Sequence, residues 1–341
     1  MNVLVTGGCG YIGSHAAMRL LEDGHAVTIV DDLTRGHREV INALDALGDL
    51  RFVEADLGHT PTMVNAMKQR SIDLVMHFGA LAYVGESMDQ PLRYYQKNTV
   101  SSHGLLKAMD EAGVKRLVFS STCATYGEPD ESNIPIAETC PQDPINPYGR
   151  SKLMFEHILF DYAAMKKAKG EDFGFAALRY FNVAGSDRKG RVGEDHKPET
   201  HLIPICLEVA AGQRPHITIF GTDYPTPDGT CVRDYVHVED LIDAHVTVMN
   251  ALKSGDTLTY NIGIGKGYSV REIIDACRRV TGVDFKEVEG ERRPGDPPQL
   301  YNDPTKVREA LGWSAQITDL DAIIDSAWQW KKAHPNGYEL D

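Results

Sequence analysis

The chain of 341 residues is predicted to fold as an α/β protein in which a doubly wound parallel sheet is joined by a smaller, loop-rich α/β domain. Two observations predict the sheet: strand-like and helix-like segments alternate through the first half of the chain, and a glycine-rich turn follows the first apolar run at residues 3–5. The pattern of predicted elements changes after Asn182, where short helices and strands recur without strict alternation. This change predicts the second domain.

The apolar run at residues 3–5 predicts a strand that is buried on both faces of a parallel sheet. Gly7, Gly10 and Gly13 follow it at a spacing of three. In such a turn the first glycine permits the tight bend, the second lets the backbone approach a pyrophosphate, and the third lets the next helix pack closely on the strand. The N-terminus of that helix offers free N–H groups to phosphate oxygens.

Two acidic residues, Asp31 and Asp32, directly follow the second predicted strand at residues 26–30. An acid 18 residues after Gly13 is placed to accept hydrogen bonds from the adenosine ribose hydroxyls, and its charge disfavours the extra phosphate of NADP. Strand, turn, helix, strand and acid in this order predict a Rossmann domain that binds NAD. A glycine-rich turn without a ligand is the alternative.

The alternation continues with strands predicted at residues 51–54, 74–78, 116–120 and 175–181 and helices at residues 92–112 and 148–168. The carboxyl ends of the strands line the ligand site of this fold. Residues 1–181 plus about 234–260 are predicted to form the NAD-binding domain. Residues of about 182–233 and 261–341 are predicted to form the domain that binds the substrate, within which residues 185–200 form an ordered loop or lid.

Composition and charge exclude several classes of function. The net charge of −14 argues against a general nucleic-acid surface, but a few arginines and helix N-termini still allow a phosphate-bearing ligand. The six cysteines are scattered without a CxxC pair, which predicts reduced thiols in a cytoplasmic protein and neither a disulfide framework nor a metal site. We expect no signal peptide and no membrane-spanning segment, hence no membrane partner.

Tyr148 and Lys152 lie four residues apart, hence on one face of the predicted helix. The ammonium of Lys152 stabilises a tyrosinate and lowers the pKa of the phenol, which makes Tyr148 a candidate general base beside a nicotinamide. Thr122, just past the strand at residues 116–120, is placed to hydrogen-bond to the same substrate oxygen. A YxxxK spacing alone is more often a solvated surface pair, and it indicates catalysis here because the glycine-rich turn accompanies it.

These motifs, with residues 120–122, resemble the extended branch of the short-chain dehydrogenase/reductases. Five segments narrow the resemblance to the UDP-glucose 4-epimerases, and it covers nearly the whole chain: residues 84–87, 147–152, 178–182, 228–235 and 292–296. The resemblance implies reversible epimerisation at C4 of UDP-glucose and UDP-galactose. Tyr148 would take the proton of the 4-hydroxyl while C4 gives its hydride to NAD, and the hydride would return to the opposite face of the 4-keto sugar.

The resemblance also implies a homodimer in which the helices at residues 92–112 and 148–168 form a four-helix interface. Several apolar positions of these helices could equally belong to the core of one subunit, namely Leu105, Leu106, Leu153, Phe155 and Ile158.

The resemblance assigns further residues to the two ligands. Arg233 and Arg293 would hold the pyrophosphate of UDP, and Asp296 a ribose hydroxyl. Asn182 and Phe220 would hold the sugar and the uracil. The set implied for NAD is Gly7, Gly10, Tyr11, Ile12, Gly13, Asp31, Asp32, Asp56, Leu57, Phe78, Ala80, Asn98, Ser120, Tyr148, Lys152 and Phe181. The set implied for the UDP-sugar is Thr122, Tyr148, Asn182, His201, Leu202, Thr218, Phe220, Arg233, Arg293, Asp296 and Leu300.

The chain departs from the family pattern at several of these positions. Thr122 replaces a serine but keeps the hydroxyl, Ala82 stands where other members have a lysine that contacts NAD, and His201 replaces a common asparagine. Leu300 falls at the position that gates sugar size, where a bulky aromatic side chain excludes N-acetyl groups, and a leucine is intermediate. Residues 121–129 also resemble epimerases that act on UDP-xylose and UDP-arabinose, so a pentose substrate is an alternative.

Two further functions share this fold and cofactor. A nucleotide-sugar dehydratase would need an acid pair directly after the threonine, where this chain has Cys123 and Ala124. A non-catalytic NAD-binding sensor would keep the glycines but has no need of Tyr148 and Lys152. Epimerisation is therefore favoured over both alternatives.

Overall fold

The structure, a computed structural model, describes residues 1–293 and 296–338. These residues divide into two units, the first comprising Met1–Gly127, Pro141–Tyr180 and Ile242–Tyr260, and the second comprising Glu128–Cys140, Phe181–Leu241 and the residues from Asn261 onward. Pro294 and Gly295, which belong to the segment at residues 292–296, lie outside the described residues, as do the last three residues of the predicted second domain. The assignment of a ligand to each unit stays a proposal.

Strands and helices follow one another closely along the chain. The strands are β1 (Asn2–Thr6), β2 (Ala26–Asp31), β3 (Leu50–Glu54), β4 (Leu74–His77), β5 (Arg116–Ser120), β6 (Gly174–Tyr180), β7 (Asn182–Ala184), β8 (Ile217–Phe220), β9 (Val232–His237), β10 (Thr257–Ile262), β11 (Gly267–Ser269), β12 (Glu287–Gly290) and β13 (Gln299–Leu300). The helices are α1 (Tyr11–Glu22), α2 (Glu39–Leu44), α3 (Thr60–Gln69), α4 (Val84–Asp89), α5 (Pro91–Tyr94), α6 (Ser101–Ala112), α7 (Pro147–Ala168), α8 (Leu202–Ala210), α9 (Val238–Ala251), α10 (Val270–Thr281), α11 (Thr305–Leu311) and α12 (Leu320–Ala333). Among the described residues, no helix is long and apolar enough to cross a bilayer.

The main sheet has seven strands in the order β3-β2-β1-β4-β5-β6-β10. β1 pairs in parallel with both β2 and β4, and the outer pairs β2–β3, β4–β5 and β5–β6 are parallel as well. The chain order reverses at β1, so the loops that leave β1 and β4 diverge and open a crevice at their carboxyl ends. The predicted doubly wound parallel sheet is confirmed.

The helix predicted at residues 92–112 is interrupted. After α5 the segment Tyr95–Val100 adopts a π-helical turn, and α6 begins only at Ser101. Inserted π turns commonly occur at functional sites because they reorient individual side chains. Here the turn carries Asn98 and Thr99, which hydrogen-bond to Leu81 and to the first turn of α7.

A hydrophobic core in the first unit is formed by residues of the sheet together with residues of α3, α6 and α7. Phe119 of β5 and Phe155 of α7 contact edge to face, with ring centroids 4.9 Å apart. Leu105, Leu106 and Phe155, which the sequence left open between core and interface, are buried in this cluster, and Ile158 packs against it. Burial of these side chains is the main force that holds α6 and α7 against the sheet.

The second unit is built around β9. Strand β9 lies between β11 and β13, and β7 pairs with it in parallel, while β8 and β12 form a separate two-stranded sheet. The core of this unit is formed by α8, α10 and α12 against these strands. α10 begins with a capping box in which Ser269 and Glu272 satisfy each other's backbone N–H groups. The segment Glu128–Cys140 joins this unit, since the N–H of Ile136 donates to the carbonyl of Tyr301.

A buried ion pair connects α7 to β6. Arg179 donates from Nη2 to Oε2 of Glu156 at 2.5 Å and from Nε to Oε1 at 3.0 Å, and the two side chains are only 5% and 1% exposed. Arg179 also donates to Tyr126 and Gln142, and Ser121 at the end of β5 donates to Glu156. Because every charge in this network has a partner, the network fixes α7 against the carboxyl end of β5.

Glu156→Gln is predicted to lower the free energy of unfolding by about 3–5 kcal/mol, because it leaves the buried Arg179 guanidinium without its counter-charge. The matched control is Asp23→Asn, which removes the partner of Arg19 in a surface ion pair and is expected to cost less than about 1 kcal/mol. Urea unfolding of the two variants and the wild type measures both values. Equal losses in the two variants would show that the buried ion pair stabilises the fold no more than the surface ion pair does.

Candidate active site

The first turn of α7 carries Tyr148 at a position set by local sequence. Asn146 caps the helix by accepting a hydrogen bond from the N–H of Gly149 at 2.8 Å, and Pro147 occupies the first helical position, where no N–H is needed. A side chain at Gly149 would place its Cβ 2.3 Å from the carbonyl oxygen of Ala124. The glycine therefore lets α7 approach the segment that follows β5.

Tyr148 and Thr122 are hydrogen-bonded to each other, whereas the sequence predicted only that both would contact the same substrate oxygen. Burial raises the pKa of the Tyr148 phenol to about 12, and the hydrogen bond with Thr122 opposes part of that rise because it favours the tyrosinate. Thr122 is itself buried, and its hydroxyl also accepts the N–H of Ala124 at 3.1 Å. In the free protein the phenol therefore keeps its proton at neutral pH.

Lys152 lies one helical turn after Tyr148 and is buried. Its Nζ donates to the carbonyl oxygen of Ser120 at 2.7 Å and lies 5.0 Å from the centre of the Phe119 ring. Burial lowers the pKa of this ammonium to about 7, against a smaller opposing effect of Glu156. Near neutral pH the ammonium therefore exchanges between its charged and neutral forms beneath the first turn of α7.

The glycine-rich turn after β1 has the geometry of a dinucleotide cradle. Gly7 has a φ of +68°, and a Cβ there would lie 2.6 Å from the N of Gly79. A Cβ on Gly13 would lie 2.1 Å from the carbonyl oxygen of Gly7, so only glycine allows α1 to pack this close. Gly10 meets nothing closer than 3.4 Å, and no side chain caps the N-terminus of α1. The residues present therefore fit a bound pyrophosphate.

The acids that follow β2 are held in place by backbone N–H groups and one lysine. Asp31 accepts from the N–H of Cys9 at 3.0 Å and of Leu33 at 2.9 Å, and burial raises the pKa of its carboxyl. Lys97 bridges Asp32 and Asp56 with distances of 2.8 and 2.7 Å. Burial alone would raise the pKa of these two carboxyls. The hydrogen bonds and charge of Lys97, together with hydrogen bonds from Thr34 to Asp32 and from Gly58 to Asp56, outweigh it and lower both pKa values.

Asn98 of the π-helical turn orients the loop after β4. Its side chain accepts the N–H of Leu81 at 2.8 Å and donates to the carbonyl of Leu81 and to the hydroxyl of Ser151. The remaining residues predicted for NAD have these places: Tyr11 and Ile12 in the first turn of α1, Leu57 beside Gly79, Phe78 and Ala80 directly after β4, Ser120 at the end of β5 and Phe181 directly after β6.

In the second unit the residues predicted for UDP form a linked group. Nε of Arg293 donates to Oδ2 of Asp296 at 2.9 Å, and its guanidinium lies 5.0 Å from the centre of the Phe220 ring. Arg233 reaches the other oxygen of Asp296 at 3.8 Å. Two cations that share one carboxylate leave a net positive charge, as an anionic pyrophosphate would require.

Strand pairing around β9 places further predicted residues. Leu300 of β13 is buried and pairs with Arg233, while Asn182 of β7 pairs with Tyr235. Thr218 lies on β8, two residues before Phe220. His201 directly precedes α8, which begins at Leu202, and the side chain of His201 contacts Glu194 and Glu199.

Sequence analysis missed several residues that support the site. Lys97 lacked a recognisable signal, because its two carboxylate partners come from distant loops. The hydroxyl of Tyr180 hydrogen-bonds to Ser120, and the ring of Tyr94 contacts that of Tyr148 edge to face with centroids 6.4 Å apart. In the sequence both tyrosines look like apolar positions, one of a strand and one of a helix. Only their tertiary neighbours show that they flank Tyr148.

Comparison with known proteins shows to which family this chain belongs. Residues 3–263 match the model of the NAD dependent epimerase/dehydratase family. The chain is 49% identical over 345 residues to a probable UDP-arabinose 4-epimerase 3 from Oryza sativa subsp. japonica, covering 99% of this chain and 84% of that protein. It is 46% identical over 342 residues to a UDP-glucose 4-epimerase from Halalkalibacterium halodurans, covering 100% and 98% of the two chains.

A solved structure is similarly close. The crystal structure of a UDP-glucose-4-epimerase from Stenotrophomonas maltophila with bound NAD and formylated UDP-arabinopyranose superposes with a TM-score of 0.91 at 42% identity. The match covers 98% of this chain and 99% of that one. The chain belongs to the NAD dependent epimerase/dehydratase family.

Proposed function

We propose that this member of the NAD dependent epimerase/dehydratase family is an isomerase that reversibly inverts C4 of a UDP-sugar, with UDP-glucose and UDP-galactose as the first pair of substrates. The observation that carries the proposal is the junction of β5 and α7, which brings Thr122, Tyr148 and Lys152 together in the unit that also carries an intact glycine cradle. The relatives named UDP-glucose 4-epimerase match along the full chain and support it.

In the proposed mechanism the chain's own residues move one proton. Tyr148 accepts the proton of the sugar 4-hydroxyl, Thr122 holds the same oxygen, and the charge of Lys152 stabilises the tyrosinate. The bound NAD supplies a reversible hydride acceptor and a positive charge. Because burial holds the pKa of Tyr148 near 12 in the free protein, a nearby positive charge is needed to bring that pKa towards neutrality.

Inversion requires that the sugar turn over while the nucleotide stays in place. We therefore assign the hold on UDP to Arg233 and Arg293, with Asp296 for a ribose hydroxyl and Phe220 for the uracil. Asn182, Thr218 and the first turn of α8 with Leu202 complete the proposed set. In this assignment the first unit binds NAD and the second binds the UDP-sugar.

A pentose substrate is the second candidate. Residues 121–129 resemble UDP-xylose and UDP-arabinose epimerases, and several relatives at 47–50% identity bear the name UDP-arabinose 4-epimerase. A dehydratase is disfavoured, because neither Cys123 nor Ala124 can act as the acid that removal of water needs. A role in galactose metabolism and a cytoplasmic location, consistent with six free cysteines, belong to the same proposal.

Purified protein without added cofactor is predicted to convert UDP-galactose to UDP-glucose and to contain NAD. Tyr148→Phe should lower turnover by about a hundredfold or more, since it removes the proton acceptor, while UDP binding is retained. Tyr162→Phe is the matched control on the same helix: its hydroxyl donates to Asp110, and we expect turnover within about twofold of the wild type. Coupled turnover assays and calorimetry with UDP give both quantities.

Three outcomes would contradict this assignment. Purification of cofactor-free protein, or a strict preference for NADP, would refute NAD as the bound cofactor. Retention of activity within about tenfold in the Tyr148→Phe variant would refute Tyr148 as the base.

Leu300→Ser is predicted to raise activity on UDP-N-acetylglucosamine relative to UDP-glucose, and Leu300→Tyr to lower it. The buried leucine lies on β13 beside Arg233, where it fills space that an acetamido group would need. Competition between the two substrates in one reaction measures the ratio of their specificity constants. An unchanged ratio in both variants would mean that Leu300 does not gate the sugar.

We also propose a homodimer formed through α7 and the helical segment before α6. Leu92 is 81% exposed, and Val100, Met154 and Phe160 are exposed apolar residues of the same helices. Large apolar side chains left in water on neighbouring helices favour burial against a second copy.

Leu92→Glu is predicted to weaken dimerisation by at least about tenfold, because the interface would then bury an unpaired charge. Val283→Glu, at an exposed apolar position of the second unit, is the control and should leave the dimer intact. Light scattering at micromolar concentration measures the mass of each protein. A wild-type monomer would refute the dimer.

A further inference from the structure

Four side chains of the loop before α8 converge outside the catalytic group. Glu194, His196, Glu199 and His201 each present one ligand atom, and these atoms all lie within 4.8 Å of one another. The scattered cysteines predicted no metal site, and the signal for this cluster is instead the spacing Glu-x-His-x-x-Glu-x-His. We propose that these four residues form a binding site for a first-row divalent metal ion, with zinc as the best fit.

The distances within the cluster suit a four-coordinate ion. Nδ1 of His201 lies 2.9 Å from both Oε1 of Glu194 and Oε1 of Glu199. Nδ1 of His196 lies 3.1 Å from Oε1 of Glu194 and 3.6 Å from Oε2 of Glu199. Ligands at the usual zinc distances of about 2.0–2.2 Å stand about 3.3 Å apart in a tetrahedron. The four nitrogen–oxygen distances, which involve both carboxylate oxygens of Glu199, run from 2.9 to 3.6 Å and so lie around that value.

The loop that carries these residues is anchored at its N-terminal end and hydrogen-bonded within itself. A Cβ on Gly193 would meet the Trp330 ring at 2.2 Å, so the backbone lies directly on that indole. Asp195 accepts the N–H of Tyr338 at 3.0 Å. Glu199 accepts the N–H of Thr200 at 2.7 Å, which orients its carboxylate towards the histidines. A site whose ligands are already held together loses little entropy on binding a metal.

Burial and charge also favour a cation. The side chains of Glu194 and Glu199 are only 7% and 4% exposed, so two carboxylates are held side by side away from water. A divalent ion offsets the charge of these two carboxylates and binds imidazoles in their neutral form, so the cluster offers a ligand set that such an ion uses.

The mixed ligand set selects among metals. Imidazole nitrogens favour zinc, cobalt and nickel over magnesium and calcium, which prefer all-oxygen sites. Glu194, His196 and Glu199 are not assigned to catalysis or to either ligand, and His201 is the one residue that the cluster shares with the set implied for the UDP-sugar. His201 contributes its side chain to this cluster, and its neighbour Leu202 remains with the proposed nucleotide set.

The test uses the full chain stripped of metal by a chelator. We expect calorimetry with zinc to show one site with a dissociation constant below about a micromolar. Cobalt should give the visible absorption bands of a four-coordinate ion, and zinc should raise the unfolding temperature. These readouts do not depend on turnover, so a failure of the metal site is separable from a failure of the proposed reaction.

Variants locate the site. His196→Ala and the isosteric Glu194→Gln should each weaken zinc binding by at least about a hundredfold, since loss of even an outer partner of a ligand costs 10–100-fold. His216→Ala removes a histidine of the same unit outside the cluster and should leave binding unchanged. If wild-type protein binds no zinc, or if both cluster variants bind as the wild type does, the proposal is overturned and the cluster is an ion-pair network only.

Discussion

The attachment of α7 to the carboxyl end of β5 is the constraint on which the geometry of the proposed catalytic residues depends. Lys152 donates to the carbonyl of Ser120, and Ser121 donates to Glu156 one turn further along the same helix. Two polar contacts from adjacent residues of one strand end fix both the position and the rotation of the helix. Because Tyr148 lies one turn before Lys152, its phenol is fixed as well.

Burial of these contacts determines the electrostatics of the site. Exclusion of water raises the pKa of Tyr148 and lowers that of Lys152, so each group resists ionisation in the free protein. A cationic ligand nearby lowers the pKa of the Tyr148 phenol, because its positive charge stabilises the tyrosinate but not the neutral phenol. In the proposed mechanism the base Tyr148 is therefore coupled to occupancy of the glycine cradle, and proton transfer is favoured only where the cofactor is in place.

Local charge balance is a second theme of this acidic chain. Several carboxylates of the described residues are each matched to a nearby cation: Asp32 and Asp56 to Lys97, Glu156 to Arg179, and Asp296 to Arg293. The cluster at residues 194–201 balances two carboxylates with two histidines. A net charge of −14 therefore says little about any single site, because the field at each site is set by neighbours within a few ångströms.

The sequence by itself determined the parallel sheet, the glycine cradle and the Tyr148–Lys152 pair, because each depends on short-range spacing: strand runs, glycines three apart, and one helical turn. It left open whether Leu105 and Phe155 were core or interface, and it gave no sign of the π turn at Tyr95–Val100. Those were decided by tertiary contacts, as were the Lys97 bridge and the meeting of Arg233 with Asp296. Residues that are distant in the chain acquire their pKa values and partners only when packing brings them together and excludes water.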